Sequence, residues 1–462
     1  MINTIFVDVT VGSDQLGDGS QLKPFFSIQA ALELAKSTKM PVVVQVAPGN
    51  YAGFDLQNFS VPLPTDVISG AFLSIVGTPV LYVPAVGLSM GPVASAVNGV
   101  TDVSTITVTA AGWTPGELNN KFVRIPNPAG DNTVMIPISG NTTDTLQLVP
   151  SAFTSNQIPV AGSIFTIMDM GTVINTQPPR YPLSMTNKLV KRASAGVLIS
   201  NSQGPNNSIS IQCLKFTFGS ETTAIRIERS SVSLRNCCIL SSGRGPLDKF
   251  VGISLTNATQ AYIIHCIIDC GGVGVNRFST AGISTGRQSD LGNALSLSGS
   301  VISGASISLS LNGNVVASGV LFRNASHAGV GQHYSVSNSQ FIRCVFDNCN
   351  NGFYLQESYS SGPCSNAFGL NQVTIKNCAS AGMTLAGPMS GVYMRNVLGA
   401  GNGVGIRLTH GAFAGVTSDV TLSGTVEVQI DGITTTLVAM RAATPKIVRD
   451  LNFGSRLYEI SN

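Results

Sequence analysis

The chain has 462 residues, only 11% of them charged against about 25% in an average soluble protein, and its formal net charge is +3. Lys and Arg are scattered, with no stripe and no aromatic interleaving, which excludes an electrostatic footprint for nucleic acid. No window reaches the roughly 18 consecutive apolar residues of a membrane span, so no membrane partner is expected.

In chain order, the start MINTIFVDVT lacks a basic segment and carries Asp8 where a secretory signal stays apolar, which predicts synthesis in a cytoplasm without a secretory route. Next, GDGSQLKPFFSIQAALELAK holds the one clear helix signal. Pro24 can only precede or begin a helix and Ser27 is a good N-cap. Ile28, Ala31, Leu32 and Ala35 then share one face, with Glu33 and Lys36 on the other. A helix this short needs a surface to lie on. VVVQVAPGNY follows as a buried strand closed by a Pro-Gly turn.

Residues 101–170 change character. STITVTAAG, NKFVRIPN, NTVMIPISG, DTLQLVPS and SIFTIMD are short strands parted by Gly, Pro and Asn turns, as in a small antiparallel sandwich or barrel inserted into another fold. NTQPPRYPLS reads as an extended connector.

From about 186 to 425 a loose repeat takes over. SISIQCLKFTF, SVSLRNCCIL, QAYIIHCIID, HYSVSNSQFIRCVFDN and NQVTIKNCAS reach an Asn-Cys or Arg-Cys step. Between them lie TAIRIERS, FVGISLTN, TAGISTGR, NGFYLQES and GVGIRLTH. Measuring coils from Cys213 to Cys237, Cys238 to Cys266 and Cys344 to Cys378 gives units within the 20–45 residues of solenoids. Stacked parallel rungs about 4.8 Å apart would use small apolar side chains inside, and Asn at corners tolerates left-handed backbone angles. The nine Cys are odd in number and lack zinc-ribbon spacing, so they are expected as small apolar fillers.

The series VDVTVGSDQLGDGSQLKPFFSIQAALELAK followed by VVVQVAPGNY resembles the N-terminal cap of the pectin-lyase-like right-handed parallel β-helix superfamily, most closely its members in bacteriophage tailspikes and virion decoration proteins. Pro24, Phe25, Ser27, Ile28 and Gln29, then Pro48, Gly49 and Tyr51, stand at the positions that carry it. GWTPGELNNKFVRI looks like a small β domain found within such phage proteins. The resemblance implies an all-β fold, a right-handed parallel β-helix with a capping helix and an inserted antiparallel domain. The expected organisation is 1–100 cap and first coils, 101–170 insert, 171–425 β-helix and 426–462 a strand-rich exit. It further implies a virion protein on the particle exterior, made in the host cytoplasm and assembled as a homotrimer. Its expected partners are other virion proteins (head, tail or baseplate) and host surface polysaccharide.

Fold does not set chemistry. Sugar hydrolysis needs two carboxylates about 5–5.5 Å or 6.5–9.5 Å apart. The acids of the repeat (Glu221, Glu228, Asp248, Asp269, Asp290, Asp347, Glu357 and Asp419) form no cluster. Asp269 and Asp347 follow equivalent-looking strands, yet with whole coils between them. Arg226, Arg235, Arg343 and Arg407 read as surface residues rather than substrate clamps. The four His stand in Asp-poor sequence: His265 in an apolar strand, His327 and His333 in a Gly/Ser loop and His410 after a strand. GGVGVNRF and GNGVGIRL lack a dinucleotide-site context and read as turns. Phe322, His333, Tyr334, Phe353, Tyr354 and Tyr359 gather in one region and offer a platform for sugar rings or packing for loops. No catalytic, cofactor-binding or metal residue is therefore assigned, no cofactor is expected, and the reading leans to a non-enzymatic spike, fibre or decoration protein. The alternative is a tailspike polysaccharide depolymerase, a hydrolase or lyase acting on capsule or O-antigen.

Overall fold

A computed structural model of the protein describes all residues except 1–2, 39, 60–71, 126–133, 154–157, 177–194, 203–208, 220–222, 242–250, 257–259, 271–272, 279–293, 311–313, 333–338, 357–367, 388–391, 411, 417–418, 438, 440–455 and 460–462. Its body is a parallel β-helix whose rungs each contribute three short strands. One complete rung is Ile209–Gln212, Lys215–Phe218 and Thr223–Glu228, and the next is Ser231–Arg235, Cys238–Ser241 and Val251–Thr256. Each strand pairs in parallel with its counterpart one rung on, which builds three ladders along the shaft.

Corners between the ladders follow from backbone chemistry. Between the first and second ladders a single residue turns the chain with positive φ: Cys213, Asn236, His265, Gly299, Gly319, Arg343 and Gln372 in successive rungs. Asn324, Asn348 and Asn377 do the same between the second and third ladders. Asn tolerates this left-handed region because its short side chain bonds locally. The residue after each such corner is buried, and at most of them it is small (Cys, Ser, Ala or Val), which explains the Asn-Cys steps. The Cys237 thiol donates to the carbonyls of Arg235 (3.3 Å) and Ile211 (3.6 Å), and Cys344 to those of Ile342 (3.4 Å) and Ala317 (3.6 Å). Ser300 repeats the bond with a hydroxyl, donating to Ser298 at 2.9 Å. Cysteine is thus more than a filler: it also bonds the carbonyls that the corner leaves.

True rung equivalents are Cys237 with Cys266, and Cys349 with Cys378, each following a left-handed residue one coil apart. Two of the Cys pairs used to measure coils from sequence are one residue out of register. In the third, Cys344 and Cys378 stand at different corners. The error came from treating every Cys as one column.

Inside, columns of like residues stack. Phe216, Ile239, Ile268, Ile302, Phe322, Phe346 and Ile375 follow one another along the second ladder. Phe322 and Phe346 stack with centroids 4.6 Å apart and planes within 8°, matching the rung spacing. GGVGVNRF and GNGVGIRL, expected as turns, contribute to third-ladder strands Val273–Phe278 and Asn402–Thr409. Glycine is required there by close approach. A Cβ on Gly352 would sit 2.5 Å from the carbonyl oxygen of Gly382, and one on Gly382 would sit 2.7 Å from that of Gly405.

The N-terminal end is closed by α1 (Ile28–Ser37), capped by Ser27 Oγ accepting from Ala30 N–H, with Ile28, Ala31, Leu32 and Ala35 buried on the first coils. Gln29 covers the free edge of the third ladder: its amide accepts from Asp55 N–H (2.9 Å) and donates to Asp55 C=O (3.2 Å), as a neighbouring strand would. Gly19 and Phe25 accept from the edge strand Asn3–Val7 and the residue after it, through the N–H groups of Phe6 and Asp8.

The inserted antiparallel sheet leaves after the first-ladder strand Leu73–Val76 and returns at the second-ladder strand Thr172–Asn175 of the same rung. It occupies a corner that elsewhere needs one residue. Antiparallel pairing already involves Pro79–Leu81 and Met90–Pro92, which lie within the stretch read from sequence as cap and first coils. Those strands are three residues long and carry no period to read. Trp113 anchors the insert's core, edge-on to Phe165 and donating Nε1–H to Leu88 C=O at 2.8 Å.

Candidate functional site

The insert lies along the outer face of the second ladder. That face carries a column of Lys215, Cys238, Ile267, Val301, Leu321, Val345 and Thr374, one per rung. Phe122, Met168 and Met170 of the insert pack on Cys238 and Ile267, while Val301, Leu321 and Val345 join the insert's own core. Polar ties flank this apolar seam. Asp169 lies 2.5 Å from Lys121 Nζ and 3.7 Å from Lys215 Nζ, and Lys376 Nζ meets Asp102 Oδ1 at 2.8 Å.

Beside the seam runs a second outward column: Asp269, Ser303, Arg323, Asp347 and Lys376. The two acids singled out from sequence do share a column. They stand three rungs apart, which at about 4.8 Å per rung is roughly 14 Å and beyond either hydrolytic spacing. Each also has a local partner: Asp269 Oδ2 accepts from Asn120 Nδ2 of the insert (3.3 Å), and Asp347 Oδ1 from Asn377 Nδ2 (2.8 Å). Arg323 lies between them, and burial lowers its pKa against the opposing pull of both carboxylates; its Nε is buried without a hydrogen-bond partner.

At the next corner the surface opens into a hollow of about 410 Å³ lined by Asn324, Ala325, Ser326, Asn348, Asn350 and Ala379 together with Cys349. Its floor is rigid because the turns themselves pair: Asn350 N–H donates to Ala325 C=O, Ala379 N–H to Cys349 C=O and Ser380 N–H to Asn350 C=O. Asn348 Nδ2 donates to Asn324 Oδ1 at 2.9 Å, continuing the stack in side chains. His327, next in sequence to Ser326, has its ring 5.0 Å from that of Tyr354. The hollow offers amide donors and acceptors, a chemistry suited to a hydroxyl-rich ligand. The Cys349 thiol is no nucleophile, since burial raises its pKa to about 12.

The other sequence candidates separate. Phe322 and Phe353 are core residues with no exposed surface, packed with Phe341, Phe346 and Phe368, so they cannot receive a sugar. Tyr354 reaches the surface; His333, Tyr334 and Tyr359 lie outside the described residues, as do Glu221, Asp248, Asp290, Glu357, Cys364 and TAGISTGR. Arg226 pairs with Glu228 on its own strand, Arg235 Nε donates to Ser233 Oγ (3.1 Å), Arg343 Nε to Gln372 Oε1 (3.1 Å) and Arg407 Nε to Gln429 Oε1 (2.8 Å). They sit on different rungs; Arg226 and Arg407 share a third-ladder column but stand seven rungs apart. His265 is a corner residue. The hollow itself was missed from sequence, because turns of adjacent rungs make it and no single motif does.

Among the described residues no group of three His, Cys, Asp or Glu side chains is placed to hold a metal, and no helix is long and apolar enough to cross a membrane. No family model matches the sequence, and no curated protein matches it. Among solved structures the chain is similar to a glycoside hydrolase (10% identity, 99% of this chain and 96% of that one, TM-score 0.28). It is similar also to the GH136 lacto-N-biosidase from Eubacterium ramulus (8% identity, 99% and 67%, TM-score 0.35). A third is the tailspike protein gp49 from Pseudomonas phage LKA1 (12% identity, 87% and 77%, TM-score 0.27).

Proposed function

We propose that this chain is a structural and attachment component on the exterior of a phage particle, a β-helical spike, fibre or decoration protein. In this reading it assembles as a homotrimer with other virion proteins and holds host surface polysaccharide in the Asn-lined hollow without cleaving it. The observation that carries the reading is the hollow itself: stacked amides on a rigid floor, with the neighbouring Asp347 committed to Asn377 and Asp269 roughly 14 Å away along the column. A chain with 11% charged residues is also suited to standing among copies rather than alone.

The test is a paired measurement on capsular and O-antigen polysaccharides: binding by calorimetry and release of reducing ends. The expected result is binding that weakens at least tenfold in Asn348→Ala plus Asn350→Ala, with no reducing ends released. Release of reducing ends that disappears in Asp269→Asn or Asp347→Asn would instead establish a depolymerase. Failure of every glycan to bind would remove the ligand from the proposal.

A further inference from the structure

The hollow between the second and third ladders is lined more narrowly than a general sugar site needs. Its polar groups are the carboxamides of Asn324, Asn348 and Asn350 with the Ser326 hydroxyl. Asn348 and Asn324 spend one bond on each other, Nδ2 to Oδ1 at 2.9 Å, which leaves Asn324 Nδ2 as a donor and Asn348 Oδ1 as an acceptor. Among the described residues the Asn350 side chain forms no hydrogen bond, so it adds a donor and an acceptor of its own. The rest of the lining is small and apolar, chiefly the Ala325 and Ala379 methyls, and no charged or aromatic side chain belongs to it. Asp347, which precedes Asn348, is turned to Asn377 Nδ2 at 2.8 Å.

Each feature narrows the ligand. An anionic substituent would leave water with no cation in the lining to meet it, which disfavours acidic groups. A plain hexose brings hydroxyls for the amides and nothing for the methyls. An acetamido group brings all three complements at once: a carbonyl for Asn324 Nδ2, an N–H for Asn348 Oδ1 or the Asn350 amide, and a methyl for the alanines. A site built to bond an amide also rejects the analogue that lacks it, because its own polar groups are then left unpaired.

We infer that the hollow is a subsite for the N-acetyl group of a neutral acetamido sugar. The carboxamides of Asn324, Asn348 and Asn350 bond its amide, and Ala325 and Ala379 receive its methyl. The inference deepens the attachment role proposed above by naming the class of sugar, and it rests on that reading for the ligand being a saccharide. The volume of about 410 Å³ lies within the range of about 300–1,000 Å³ for small-molecule sites. The floor is already set by backbone bonds from Asn350 N–H to Ala325 C=O (2.8 Å) and from Ala379 N–H to Cys349 C=O (3.0 Å), so little ordering is left for binding to supply.

The experiment titrates the full chain with two matched pairs of sugars, followed by saturation-transfer NMR. One pair is tri-N-acetylchitotriose and cellotriose, the other the methyl glycosides of N-acetylgalactosamine and galactose; within each pair an acetamido group replaces a hydroxyl. The acetamido member of a pair should bind at least about tenfold more tightly, with saturation greatest at its acetyl methyl. Asn350→Leu plus Ala379→Val should abolish that preference. Ala379 is exposed and Asn350 half-buried, so folding is retained, which circular dichroism checks. Equal binding within both pairs would overturn the acetamido subsite and leave glycan attachment standing. A preference that survives the double variant would overturn the assignment to the hollow. Failure of all four sugars to bind would overturn the subsite, while the capsular and O-antigen measurement reports separately on attachment.

Discussion

The shaft and the insert are both all-β, yet they hold themselves together differently. In the shaft a residue's task is set by its column: Phe322 and Phe346 stack because they occupy one register position in successive rungs, and Cys237 and Ser300 bond carbonyls because each follows a left-handed corner. Every rung leans mainly on the two beside it, so stability is close to a sum of neighbour terms. The insert instead closes one core around Trp113, with strands far apart in sequence meeting once. The difference predicts that damage to the shaft spreads along its axis, whereas damage to the insert stays local unless the seam transmits it.

Two truncations test this most strongly. Phe346→Ala removes a ring with no exposed surface that touches Phe322, Phe341 and Phe353, and should cost about 3–5 kcal/mol. Trp113→Ala should cost a similar amount but within the insert. Hydrogen exchange should then rise across several rungs in the first variant and over 79–170 in the second. Equal loss of protection throughout both regions in Trp113→Ala would mean that the seam makes them one cooperative unit.

A smaller effect is expected at the capped end. Gln29→Leu deletes both bonds to Asp55 and leaves that strand's N–H and C=O groups without their cover, a loss of about 1–3 kcal/mol. It also bares the edge of the third ladder, so association should become more concentration-dependent, measurable by sedimentation. Unchanged stability and association would show that α1 covers the coil through its apolar face alone.

The same contrast explains what could be read in advance. The shaft was legible because its columns recur: Val, Ile, Cys and Asn return at coil-sized intervals, and the helix was marked by Pro24, Ser27 and an apolar face. Register within the coil was not legible, because an Asn-Cys step serves two different corners, as at Asn236-Cys237 and Asn377-Cys378. The strands Pro79–Leu81 and Met90–Pro92 escaped because three residues show no alternation, and their pairing partner lies far along the chain at Ile164–Met170. The hollow escaped for a third reason. It is made by turns in adjacent rungs, and nothing in the spacing of Asn324, Asn348 and Asn350 says that the floor between them is open.

The finest test is at a single corner. His265 turns the chain with φ of 51°, where the preceding rung uses Asn236 with φ of 50°, and its ring lies over Gly299. Burial, and after it the charge of Arg235, lowers the imidazole's pKa below the usual 6.5. The folded chain therefore holds fewer protons than the unfolded chain once pH falls below about 6.5, and stability must decline over that interval, levelling only below the folded pKa. His265→Asn keeps a residue that accepts the left-handed corner and removes the titration. Between pH 7 and 5 the variant's stability should therefore fall less steeply than that of wild type in chemical denaturation, with little difference above pH 7.5. Parallel slopes would mean that the corner is solvated enough to carry the charge, and that the shaft tolerates at its corners what its columns exclude.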